Sequence, residues 1–102
     1  MKNINEAVIG KYCVVRGESF GVFTGIVEAV DGDRVLLRDA RRIWYWVGAA
    51  SLSQLALEGV KLPQRCRFTV VVETVMLLNV IEIIPTTETA EKIIREVPVW
   101  KV

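Results

Sequence analysis

The sequence predicts a single α+β or mainly β domain spanning residues 1–102, an antiparallel sheet or small open β-barrel of five or six strands with two short helices. Three observations predict it. The length of 102 residues is that of one ordinary domain. Runs rich in branched and aromatic residues recur along the chain, separated by glycine-bearing turn segments. Two segments switch to helical spacing directly behind a Ser or Thr cap.

Taken in order, residues 11–16 (KYCVVR) form a short strand, and residues 17–21 (GESFG) have turn composition. Residues 22–30 (VFTGIVEAV) form a second strand, in which Gly25 marks a bulge or a close backbone approach. Asp31-Gly32-Asp33 is a hairpin turn, because glycine reaches positive φ without steric cost. Residues 34–38 (RVLLR) return, and residues 42–47 (RIWYWV) form a further strand. Ser51-Leu52-Ser53-Gln54 fits a capping box, Leu52, Leu55 and Ala56 follow at helical spacing, and Gly59 ends the helix. Residues 60–66 are a loop. Residues 68–75 and 76–84 read as two apolar strands whose junction lacks a clear turn signal, and Pro85 stops the second. Thr86 or Thr87 caps a helix over residues 88–96 that buries Ala90, Ile93 and Ile94. The tail VPVWKV is extended and apolar enough to dock.

Composition excludes much familiar chemistry. There is no histidine, which removes Ser-His-Asp and Cys-His catalysis and His-containing zinc sites. Cys13 and Cys66 are too far apart in sequence for a thiolate cluster and are expected as buried free thiols in a reducing cytosol, with a bridge as the alternative. There is no phosphate-binding glycine loop, and Asp31 and Asp33, the nearest thing to a paired-carboxylate site, sit in a turn. The expectation is therefore a non-enzyme with no catalytic residues, no metal and no cofactor. No run is long and apolar enough to span a bilayer, and the N-terminal MKNINEAVIG lacks a signal-peptide core, so a cytoplasmic protein without membrane contact is expected. The net charge of +1 argues against nucleic acid as partner. An apolar fraction of 52% favours a homo-oligomer.

Charge is nevertheless uneven. From Arg34 to Arg67 seven basic residues face two acidic ones, whereas beyond Arg67 five acidic residues face three basic. Within the basic middle, RDARRIWYW concentrates three arginines and three aromatic rings. On a regular strand Arg42, Trp44 and Trp46 would share one face, and Arg41, Ile43, Tyr45 and Val47 the other. An arginine stacked on an indole still presents its fork to a phosphate, and the indole offers a flat surface to a base. Gly48-Ala49-Ala50 then leads into a helix N-terminus at Ser51, where small side chains would let a ligand reach anion-seeking amides. The expected ligand face is Arg41, Arg42, Trp44 and Trp46, with Ser51 taking a phosphate and Arg65 and Arg67 closing the pocket. The competing structural reading is that strand aromatics build core, and that Arg38, Asp39 and Arg42 form surface ion pairs.

From residue 11 to residue 100 the chain resembles a family of small proteins of tailed phages and prophages. The segment ARRIWYW-GAASLSQLA, residues 40–56, is its most distinctive part. By analogy of size, source and site chemistry, the resemblance implies a sponge that sequesters a cyclic nucleotide or cyclic ADP-ribose signal of bacterial defence. The expected partner is thus a small phosphorylated nucleotide. A protein-interaction or structural module using the Arg/Trp cluster as a hot spot is the second expectation. Direct DNA or RNA binding through the basic middle is a weaker third.

Overall fold

The computed structural model describes residues 3–102. Five strands, β1 (Tyr12–Gly17), β2 (Val22–Asp31), β3 (Arg34–Tyr45), β4 (Arg67–Leu77) and β5 (Val80–Pro85), form one antiparallel sheet. Their order is β4-β3-β2-β1-β5. The helices α1 (Leu52–Glu58) and α2 (Glu88–Glu96) flank it, and short 3-10 turns occupy Ile4–Ala7 and Pro63–Arg65. This is the mainly antiparallel α+β domain expected, with five strands. No helix among the described residues is long and apolar enough to cross a membrane.

The sheet must coil. β4 and β5 lie at opposite edges, yet only Leu78 and Asn79 separate them in sequence. A flat five-stranded sheet would hold its edges roughly 19 Å apart, whereas three Cα steps span at most about 11 Å. Asn79, at φ 61°, makes the corner, a left-handed conformation that asparagine tolerates. The corner is held by Val80 N donating to Asp33 O at 2.9 Å and Glu18 N donating to Asn79 O at 3.0 Å. The break between these strands therefore falls at Asn79 and not at the 75/76 junction that the apolar run suggested.

Coiling divides the core into two layers. Cys13, Val15, Phe23, Val27, Leu37 and Leu77 pack inside the coil. Tyr12, Val14, Ile43, Phe68, Leu55 and Ile94 pack between the sheet and the helices. β1 is an interior strand, paired on both sides and buried on both faces, so it reads as an apolar run without alternation. The two thiols are free: Cys13 belongs to the inner layer and Cys66 to the outer one.

The two strands expected over residues 34–38 and 42–47 are one continuous strand. Between the pairs Thr24–Arg41 and Ile26–Arg38, β3 advances one residue more than β2, and Asp39 takes φ 52° to accommodate the bulge. Gly25 lies opposite. A Cβ there would meet Arg38 O at 3.0 Å and Ala40 Cα at 3.2 Å, which accounts for the glycine. The bulge changes which face the following residues take. Val35, Leu37 and Ala40 face into the coil, while Arg41 and Ile43 turn toward the helices.

Both helices keep their expected caps. Ser51 Oγ accepts from Gln54 N, Gly59 ends α1 at φ 74°, and Thr87 Oγ1 accepts from Ala90 N. After α2 the tail docks on β4: Val99 bridges Phe68 in parallel, and Trp100 N donates to Phe68 O at 2.9 Å.

Candidate functional site

The arginines of the cluster have different fates. Arg41 is only 2% exposed. Its Nε donates to Thr69 O at 2.8 Å, Nη1 to Ile94 O at 3.0 Å, and Nη2 to Val97 O at 2.6 Å and Phe68 O at 3.4 Å. A cation thus sits against the last carbonyls of α2, where the helix dipole is negative, and ties that helix to β4. Burial pulls the guanidinium below its ordinary pKa, but the four carbonyls satisfy its donors. Expected as a ligand residue, Arg41 is instead occupied inside the fold, because the bulge at Asp39 turns it toward α2.

Arg42 takes the other side. Its guanidinium lies 4.4 Å from the Phe23 ring centroid, and its Nη1 donates to Phe20 O at 2.6 Å. It borders a separate hollow of about 300 Å³ with Phe20, Met76 and Leu78. Neither Arg38, Asp39 nor Arg42 forms an ion pair among the described residues.

The tryptophans also part. The strand ends at Tyr45, so Trp46 does not share a face with Trp44. Trp46 packs against the helix-side core and donates from Nε1 to Ala49 O at 3.2 Å. Trp44 is 55% exposed and stacks on Trp100 of the tail, with centroids 5.1 Å apart and planes 20° off parallel. The β3–β4 register shifts on both sides of Ile43, and this irregular end lets the adjacent Trp44 and Tyr45 both border Arg67. The Arg67 guanidinium carbon lies 5.4 Å from Trp44, 5.5 Å from Trp100 and 5.8 Å from Tyr45.

Beside this group opens a hollow of about 620 Å³ lined by Tyr45, Val47, Gln64, Arg65, Cys66, Arg67 and Trp100. Arg65 is placed by the Pro63–Arg65 turn, closed by Cys66 N donating to Pro63 O. Cys66 Sγ accepts from Val47 N at 3.4 Å, which joins the turn to the end of β3. Neither Arg65 nor Arg67 has a carboxylate partner among the described residues. Two arginine forks and Trp100, whose indole stacks on Trp44, therefore border one recess. That arrangement suits an anion carrying a flat ring.

The helix N-terminus is not part of it. Ser51 is absent from the lining, its Oγ is engaged by Gln54 N, and Gln54 Oε1 accepts from Ala50 N at 2.7 Å. Gly48 is small for a different reason than ligand approach. At φ +100° its missing Cβ would meet Lys61 N at 2.4 Å, so the chain's own loop fills the space. Of the expected site residues, the fold brings Arg65 and Arg67 together at the hollow, sets Trp44 beside Arg67, and separates Arg41, Arg42, Trp46 and Ser51 from them. It adds Tyr45 and Trp100. No group of three His, Cys, Asp or Glu side chains placed to hold a metal occurs among the described residues.

Residues 10–94 match the family described as "Domain of unknown function (DUF6948)". The chain belongs to this family. The matched stretch runs from just before β1 into α2 and contains every lining residue of the hollow except Trp100. No curated protein and no solved structure matches the chain.

Proposed function

We propose that this protein binds a small phosphorylated, base-bearing ligand without transforming it, a cyclic nucleotide or a cyclic ADP-ribose-type signal, and so acts as a sponge for it. The setting that belongs to this reading is a tailed phage or prophage countering the nucleotide signalling of its host, in the host cytosol. The observation that carries the reading is the pair of guanidinium groups without a carboxylate partner among the described residues, Arg65 and Arg67, which line one hollow with Tyr45 and Trp100, the latter stacked on Trp44. The forks take phosphate oxygens, and the rings of Tyr45 and Trp100 offer a base a stacking surface. A volume of about 620 Å³ falls in the range of small-molecule sites.

Calorimetric titration against cyclic di- and trinucleotides and cyclic ADP-ribose isomers tests it. Saturable heat with one of them, abolished in Arg67→Ala, is the expected result. Flat titrations across the panel would end this reading.

The second reading is a protein-interaction module. Trp44, Tyr45 and Trp100 are all exposed around Arg67, which is the composition of an interface hot spot. It predicts flat nucleotide titrations together with a stoichiometric protein complex that Trp44→Ala dissociates.

A further inference from the structure

β4 is an edge strand, and over Val70 to Thr74 it is exposed on both faces. Val71 is 55% exposed, Val72 41% and Met76 55%. Soluble proteins usually guard such an edge with lysine, proline, a bulge or a covering segment. Residues 68–78 contain no lysine or proline, and the pairing with β3 is regular from Val71 to Leu77. Among the described residues its cover is the tail, which bridges at Phe68 and shows that this edge accepts a further strand. The rest of its outward backbone groups face no strand among the described residues.

We infer that the outer edge of β4 pairs antiparallel with β4 of a second copy of this chain, joining two five-stranded sheets about a two-fold axis at Thr74. A two-fold antiparallel pair places one residue opposite itself, so each register is named by its central residue. An axis at Glu73 sets two carboxylates face to face, which is destabilising. An axis at Val72 brings the second copy against Phe68, where the tail already sits. With Thr74 central, threonine faces threonine, Val72 faces Met76 of the second copy, Val71 faces Leu77, and Glu73 faces Val75. Both apolar pairs and the Thr–Thr pair are of favourable kinds. The opposite edge is a poorer partner: β5 has six residues, ends in a proline without an N–H, and pairing β4 to β5 head to tail would leave edges free for open chains, whereas the β4–β4 contact closes.

The axis lies seven residues from Arg67, so the hollow is complete in each copy and this pairing stands apart from the nucleotide reading. Sedimentation velocity of the full chain tests it. The expected mass is twice 11.5 kDa, falling to that of one chain in Val72→Lys/Met76→Lys, whose two positions are exposed in the single chain. Should that variant fail to fold, mild oxidation of Thr74→Cys decides. Facing residues lie about 4.5–5.5 Å apart at Cα, within disulfide range, so Thr74→Cys gives a covalent dimer and Glu73→Cys does not. A single-chain mass for the unaltered protein at all concentrations, a dimer indifferent to both lysines, equal cross-linking at Glu73→Cys, or a monomer whose β4 captures extended peptides of other proteins would each overturn the assignment.

Discussion

Replacing Arg41 by alanine tests whether this side chain belongs to the fold or to a ligand. The guanidinium donates to four carbonyls, of Thr69, Ile94, Val97 and Phe68. Phe68 O keeps a donor, Trp100 N, and Ile94 O keeps Val97 N, which leaves the carbonyls of Thr69 and Val97 to lose theirs. Each buried acceptor left bare costs about 1–3 kcal/mol, and water entering the vacated volume recovers part of that. The expected loss is about 2–4 kcal/mol, a large fraction of the stability of an ordinary domain. In thermal unfolding of a chain this size it amounts to roughly 10–25 °C in Tm. Equilibrium urea unfolding followed by far-UV circular dichroism measures it, and Arg41→Lys should recover only part, because one ammonium cannot span carbonyls on β4 and beyond α2 together. The tail should loosen as well, since Val97 O and Phe68 O flank its start, and the Trp44–Trp100 stack would then report through tryptophan fluorescence. If Arg41→Ala unfolds within about 1 kcal/mol of the unaltered protein yet abolishes ligand binding, the structural assignment of Arg41 is wrong.

Burial raises the Cys13 thiol from its ordinary value of 9.0 to about 11. The neutral thiol is favoured in the folded chain, so its contribution is whole below pH 9 and declines as pH rises toward 11, by about 3 kcal/mol at most; Cys13→Ala should flatten stability against pH in that window. Gly48→Ala should destabilise by about 2 kcal/mol or more, read by urea midpoint, because a methyl would press on Lys61 N and the backbone sits at φ +100°.

Strand and helix placement was legible where local chemistry decides it. The caps at Ser51 and Thr87, the turn at Asp31-Gly32-Asp33 and the close approach at Gly25 all rest on a residue's own backbone preference or on a neighbour a few positions away. Cys13 and Cys66 could be expected as buried free thiols from residue type and the strands around them. The sequence was misleading where an αL residue was not a glycine. Asp39 hides a bulge and Asn79 hides a corner, and neither interrupts an otherwise apolar, strand-like run.

The candidate site divides in the same way. Its arginine and tryptophan content, and the docking of the VPVWKV tail, could be read from residue type. Which arginine faces outward could not, because one extra residue in a strand reverses the faces beyond it, and Arg41 changes sides on the strength of a contact between β2 and β3. Nor could the chain foretell that Trp100 meets Trp44 across more than fifty positions, since that depends on the sheet coiling until the end of α2 delivers the tail to the start of β4. Residue chemistry set the available groups and local turns; long-range packing alone selected which of those groups share a recess.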